Sequence, residues 1–361
     1  MNVSVEKQRL VEELRILNKI VPNKPPIQIL SHILLTAEGE KLSFFATDLE
    51  VGIASSCEAT IATAGAIVVP AQKLLALVEQ FPDEDVFFTA SGLQVVVKCG
   101  KFNSRLQVMP AEDFPQQPQA EGDPITLPSA GLKQALQKTR YAVKSTGPQT
   151  FIQGALFKIK EGGAAMVATD GKRLALTSMR VENGIETQLI IPVKTMDVLE
   201  GQLANGDATL RITKNHLFFE IADRLLLSRV IDGKFPKYES IIPKENSKVV
   251  EVNREQLAAC LRRVNQVADE NDAVIFDIGQ DELRLSSSSI EVGSADEVIE
   301  VKYDGAPLKV CVNGNYVLDF ANAGTMPTVT VALKDFKSPM LLQDGPSTVG
   351  VVMLMKVAQG T

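Results

Sequence analysis

Asp48 and Asp170 are the first residues in this sequence to suggest chemistry, because a pair of carboxylates can serve acid–base work or hold a metal. They lie 122 residues apart, inside Ala46-Thr47-Asp48 and Ala168-Thr169-Asp170. An aspartate recurring in a T-D-[LG] context reads instead as a turn former, since its side chain bonds backbone amides two residues on. The run Ser286–Ser289 reads as a solvated strand edge rather than a nucleophile. Histidine chemistry has little to draw on, with His32 and His216 alone. Cys57, Cys99, Cys260 and Cys311 are widely spaced and include no C-x-x-C pair, which argues for scattered core thiols over a zinc site or a disulfide framework. The sequence has no G-x-x-x-x-G-K-[ST] phosphate loop, no G-x-G-x-x-G between strand and helix and no G-x-S-x-G elbow. No enzymatic activity, cofactor or metal is therefore expected. A hydrolase using Asp48 or Asp170 is the catalytic reading that remains.

The same offset organises the whole chain. Val68-Val69-Pro70 recurs as Ile190-Ile191-Pro192, Phe114-Pro115 as Phe235-Pro236, and Leu10 with Leu14 as Leu132 with Leu136. A third copy is weaker: Leu257 and Leu261 repeat the leucine pair, Ser287-Ser288 stands for Thr-Asp, and Val312-Asn313 stands for the strand–proline junction. Internal repeats decide the fold before any other signal. Three sequential domains are expected, at 1–121, 122–247 and 248–361.

Each copy opens with an amphipathic helix. Its apolar face is Leu10, Leu14, Leu17 and Val21, then Leu132, Leu136, Thr139 and Val143, then Leu257, Leu261, Val264 and Val267. Asn253, with Gln256 three residues on, has the form of a capping box. Strands follow at Ser43–Thr47, Ala155–Lys160 and Val274–Ile278. A second helix starts near Pro70, Pro192 or Asn313, and closing strands include Gln94–Lys98, His216–Ile221 and Thr328–Leu333. Two helices on antiparallel sheets make an α+β fold. Pro110–Pro124 and Asp232–Lys248, rich in Pro, Gly and charge, read as linkers.

Composition is that of an ordinary globular protein, 45% hydrophobic and 22% charged, with no apolar run near the roughly 20 residues of a membrane span. The first residues lack a signal-peptide core, so a cytoplasmic location is expected. A net charge of −7 counts against a conventional nucleic-acid binder unless positive charge is segregated. Lys133, Arg140 and Lys144 share one side of the second-copy helix. Lys7, Arg9, Arg15 and Lys19 lie on the first opening helix, and Arg254, Arg262 and Arg263 on the third. Lys73 and Lys194 fall at the starts of second helices, and Lys24 in a Pro-rich loop. Two readings stand for these residues, solvated helix faces or a shared basic lining.

The segment Val167–Leu176 (VATDGKRLAL), followed by Ile190-Ile191-Pro192, Asp232-Gly233-Lys234-Phe235-Pro236 and Pro243, resembles the bacterial DNA polymerase III β subunit family of sliding clamps. Thr47-Asp48-Leu49-Glu50, Asn315-Tyr316-Val317-Leu318-Asp319 and Val351–Lys356 extend the resemblance over the chain. It implies a DNA-clamp fold of three similar domains, each with two helices and antiparallel sheets. It further implies a head-to-tail homodimer closed into a ring, with duplex DNA threading the hole without sequence preference. Enclosure, rather than a strongly basic surface, would then supply retention on DNA.

The resemblance also implies an apolar pocket for short linear motifs of the DNA polymerase III α subunit, the clamp loader and repair polymerases. Its residues here would be Ile152, Thr169, Gly171, Lys172, Arg173, Leu174, Pro243, Tyr316, Met340, Met353, Leu354, Met355 and Lys356. Relatives often end in M-P-M-R, so Leu354 and Lys356 are departures, and the chain runs on through Ala358-Gln359-Gly360-Thr361. DNA contact is expected from Lys24, Lys73, Lys172 and Lys194, with Gln72 standing where relatives carry an arginine. The alternative of another class is a repeat scaffold that binds peptide motifs without encircling DNA.

Overall fold

The computed structural model describes residues 1–144, 150–182 and 185–356; the chain end at 358–361 lies outside them. The first copy comprises β1 (Asn2–Val5), α1 (Lys7–Asn18), β2 (His32–Glu38), β3 (Lys41–Thr47), β4 (Val51–Glu58), β5 (Thr60–Thr63), β6 (Gly65–Pro70), α2 (Ala71–Glu79), β7 (Val86–Ser91), β8 (Gln94–Cys99) and β9 (Phe102–Gln107). The second comprises β10 (Ile125–Pro128), α3 (Ser129–Thr139), β11 (Gly154–Lys160), β12 (Gly163–Thr169), β13 (Arg173–Met179), β14 (Thr187–Pro192), α4 (Val193–Glu200), β15 (Asp207–Ile212), β16 (His216–Ile221) and β17 (Arg224–Arg229). The third comprises β18 (Lys248–Asn253), α5 (Arg254–Val264), β19 (Ala273–Gly279), β20 (Glu282–Ser289), β21 (Gly293–Glu300), β22 (Leu308–Asn313), α6 (Gly314–Ala323), β23 (Thr328–Leu333), β24 (Met340–Asp344) and β25 (Thr348–Val352).

The elements expected from patterning are present in all three copies. Leu10, Leu14, Leu17, Leu132, Leu136, Leu257 and Leu261 are fully buried, as the heptad-like spacing requires. Each of the second helices begins directly after a strand ending at Pro70, Pro192 or Asn313. The opening helices stop sooner than their apolar faces suggest: α3 and α5 pass into single 3₁₀ turns at Arg140–Ala142 and Asn265–Val267. Tightening the last turn satisfies carbonyls that an α-helix end leaves open.

Compactness follows sheets rather than copies. One unit comprises residues 1–129 and 197–230, the other residues 130–196 and 231–361. In the first unit an eight-stranded antiparallel sheet runs β10-β15-β16-β17-β4-β3-β2-β6. In the second unit the corresponding sheet runs β18-β23-β24-β25-β13-β12-β11-β14, the same order strand for strand. Each sheet therefore joins four strands of one copy to four of the next, at β17–β4 (Leu226 opposite Ile53) and at β25–β13 (Val351 opposite Leu174). The remaining half-sheets are β5-β1-β7-β8-β9 and β21-β20-β19-β22, leaving β9 and β21 as edges.

Candidate binding cleft

The turn between β12 and β13 is built from its own side chains. Asp170 Oδ1 accepts from the amides of Lys172 and Arg173, both at 2.9 Å. The Thr169 hydroxyl donates to the Arg173 carbonyl (2.6 Å) and accepts from the Gly171 amide (3.1 Å). The first copy repeats this atom for atom: Asp48 Oδ1 accepts from Glu50 and Val51, and Thr47 bonds the Val51 carbonyl and the Leu49 amide. Asp48 and Asp170 are thus turn formers, as their shared context suggests. At the third turn position Gly171 has φ +88° and Leu49 has φ +76°, so the first copy places a side chain where glycine fits best.

This turn presents Arg173 inward. Its guanidinium donates to Asp170 Oδ2 (3.0 Å), to Asp319 Oδ2 on α6 and to the Tyr141 carbonyl. It also sits over the rings of Tyr141 and Tyr316, at 5.3 and 4.4 Å from their centroids. A planar donor fork suits such a cage in a way that a lysine would not. Burial first, and then the field of Asp170, pushes the Tyr316 hydroxyl above its ordinary pKa.

A cleft of about 350 Å³ opens beside this cage, lined by Lys172, Glu270, Asn271, Asp272, Asn313, Tyr316, Met353, Leu354 and Met355. Its floor is the segment after β25, pinned where the Met353 amide donates to the Lys172 carbonyl (3.0 Å) and the Met355 amide to the Cys311 carbonyl (2.7 Å). Met353 is 43% exposed and gives the cleft an accessible apolar surface. Tyr316 is set by the cap of α6, where Asn313 Oδ1 accepts from its amide at 3.1 Å.

Lys172, Tyr316, Met353, Leu354 and Met355 therefore meet in one cleft, with Gly171 in the turn above and Arg173 in the cage behind. Leu174 faces another apolar group, with Leu156, Val167, Ile190, Tyr238 and Val351 buried and Ile242 and Phe151 packed against them. Pro243, next to Ile242, is half-buried, and Ile152 is buried. The Thr169 hydroxyl is spent on the turn. Met340 does not line the cleft: it is fully enclosed in the third-copy core, because alternation along β24 turns it inward. Lys356 is exposed just beyond the lining. Glu270, Asn271 and Asp272 were not legible as cleft residues; a short acidic run ahead of a strand was their one signal.

The cationic residues divide. Lys24 and Lys73 are exposed, and the Gln72 side-chain amide donates to Asn23 Oδ1 (2.7 Å), tying the loop of one to the helix of the other. Lys194 lies half-buried in the first turn of α4. Several helix arginines are engaged by neighbouring carboxylates instead: Arg9 by Glu58, Arg15 by Glu79, Arg263 by Glu297. Those three are about half exposed or more as well as paired, a state compatible with solvated helix faces.

Profiles of the DNA polymerase III beta subunit match nearly the whole chain: its N-terminal domain at residues 1–118, its central domain at 126–237 and its C-terminal domain at 239–357. The chain belongs to the DNA polymerase III β-subunit family. A beta sliding clamp of Caulobacter vibrioides is 32% identical over 99% of this chain and 100% of its own length. The beta sliding clamp of Escherichia coli K12 is 27% identical over 98% and 99%. Among solved structures, the C. crescentus beta sliding clamp superposes with a TM-score of 0.93 at 32% identity. The Pseudomonas aeruginosa sliding clamp bound to griselimycin gives 0.94 at 27% identity. Each pair covers 99% of this chain and all of the other. The α+β clamp fold expected from the family motifs is thereby established, and the reading as a repeat scaffold unrelated to DNA is not favoured.

Proposed function

We propose that this chain is the ring-forming processivity subunit of a replicative DNA polymerase, non-catalytic and acting as a homodimer around duplex DNA. One observation carries the reading. The joints β17–β4 and β25–β13 pair the last strand of one copy with the third sheet strand of a neighbouring copy. By the same topology β9 and β21 are the two halves of a third such joint, and each is an open edge. Strand β9 carries exposed Phe102 and Arg105, with exposed Lys101 just before it, whereas β21 carries Asp296, Glu297 and Glu300. Pairing β9 of one chain with β21 of a second, and the reverse, repeats the joint six times, closes a ring and covers the two edges that would otherwise be open templates for pairing.

In this ring Lys24, Lys73, Lys172 and Lys194 are the proposed DNA contacts. A few phosphate contacts suffice where topology retains the DNA, and more would hinder sliding. The cleft over Met353–Met355, with the apolar surface around Leu174, Ile152 and Pro243, would take short motifs of the polymerase, the clamp loader and repair polymerases. Methionine and leucine side chains adapt to varied apolar anchors. The proposed location is the cytoplasm.

Loading the protein onto nicked circular DNA tests this directly. It is expected to stay bound through gel filtration and to be lost once the circle is linearised. Equal retention on both substrates would sink the ring reading. Replacing Lys24, Lys73 and Lys194 together by Ala is expected to reduce loading while peptide binding survives.

A further inference from the structure

The cleft has two walls of opposite sign. Lys172 stands on the turn between β12 and β13, and Glu270, Asn271 and Asp272 stand on the loop before β19. Among the described residues neither Lys172 nor Glu270 has an ion-pair partner. Arg173, the other cation nearby, is already matched by Asp170 and Asp319 and has no charge to spare. The unmatched groups facing the cleft are thus one cation and two carboxylates.

The acidic wall is held rigidly. Asp272 has φ +55°, a left-handed conformation that aspartate adopts more readily than most residues with a side chain. Local bonds hold it there: its amide donates to the Asp269 carbonyl (3.0 Å), and its carbonyl accepts from the Gly314 amide (2.8 Å). Asp269 Oδ1 accepts from the amides of Asn271 (3.1 Å) and Ala273 (3.0 Å). The Asn313 side-chain amide donates to the Asn271 carbonyl (2.9 Å) and reaches Asp272 Oδ2 (3.3 Å). One cap residue therefore fixes both Tyr316, on the apolar floor, and Asp272, on the acidic wall.

We infer that this cleft selects peptides in which an apolar anchor is flanked by a Lys or Arg side chain, the cation meeting Glu270 and Asp272. The inference rests on the proposed reading of the cleft as a peptide site. A bare metal ion fits poorly, because the floor of Met353, Leu354, Met355 and Tyr316 offers no hard oxygen ligands from its side chains beyond one phenol. An extended chain satisfies both the floor and the wall.

The test is fluorescence anisotropy of the full chain with labelled synthetic peptides. They share a central Leu-Phe pair and carry Lys, Gln or Glu on either side of it. A Lys peptide is expected to bind roughly 3- to 10-fold more tightly than its Glu counterpart, the contribution of one or two partly exposed ion pairs. The ratio should fall towards one at about 1 M KCl, where the screening length is about 3 Å. It should collapse in Glu270→Gln/Asp272→Asn and reverse in Glu270→Lys. Equal binding of the Lys and Glu peptides, or a preference that persists in the double variant, overturns the inference while leaving the peptide site standing. If no peptide binds, or if binding is indifferent to Met353→Glu, the peptide reading itself fails and takes this inference with it.

Discussion

Lys138 and Asp344 illustrate what a single buried contact contributes. The ammonium lies 2.6 Å from Asp344 Oδ2, with side-chain exposures of 4% and 0%, and it also donates to the Thr348 hydroxyl. Asp344 further accepts from the amides of Thr325 and Met326, so its carboxylate is well bonded despite its burial. Burial alone would raise its pKa, but Lys138 and the two amides outweigh that and hold it below the ordinary 3.8. The pair ties α3 of the second copy to the β24–β25 hairpin of the third. Lys138→Met is expected to cost about 3 kcal/mol, because it leaves a buried charge without its counter-ion. A depressed carboxylate stabilises the fold above its unfolded pKa, and that contribution is lost as pH falls through the folded value. The gap between native and variant in urea melts should therefore be full at pH 7 and narrow below about pH 4. A gap that is unchanged at low pH would refute the assignment.

Helix starts and strand joints show how far local rules reach. Asn253 caps α5, its Oδ1 accepting from the Gln256 amide at 3.0 Å, whereas α1 and α2 begin at Glu6 and Pro70 without a side-chain cap. Asn253→Ala is expected to cost about 1 kcal/mol in chemical denaturation. A loss within experimental error would show that the β18 pairing alone sets that helix start. The Thr-Asp turns belong to the same scale. Both copies use identical bonds, yet one accepts Leu49 in a left-handed conformation where the other has Gly171. The strands on either side, paired along β3–β4 and β12–β13, over-determine the turn and absorb that cost.

At the level of the whole molecule, two sheets of the same strand order are each shared between successive copies, and among the described residues β9 and β21, the strands equivalent to those joints, lack the partner that the others have. Exposed Arg105 on β9 and exposed Glu300 on β21 are opposite in charge. Arg105→Glu would set like charges against each other across the proposed joint, and it is expected to raise the dimer dissociation constant by roughly tenfold or more. Sedimentation velocity over a dilution series reads this directly, and a variant as dimeric as the native chain would place the interface elsewhere. The net charge of −7 is compatible with this architecture, since retention by enclosure asks little of the surface as a whole.

The threefold repeat, the six helices, the closing strands and the turn-forming role of Asp48 and Asp170 were all readable from the sequence. Each rests on periodicity or on bonds between residues a few positions apart. The family motifs, which are also local strings, brought Lys172, Tyr316 and the Met353–Met355 segment into view as a site. Tertiary structure alone decided that Met340 is enclosed, that Arg9, Arg15 and Arg263 are neutralised by neighbours, and that Lys138 meets Asp344, 206 residues away. It also decided that Glu270 and Asp272 face Lys172 across one cleft. Charge pairing and enclosure depend on which surfaces the folded sheets bring within a few ångströms, and no local pattern encodes a distance between segments so far apart in the chain.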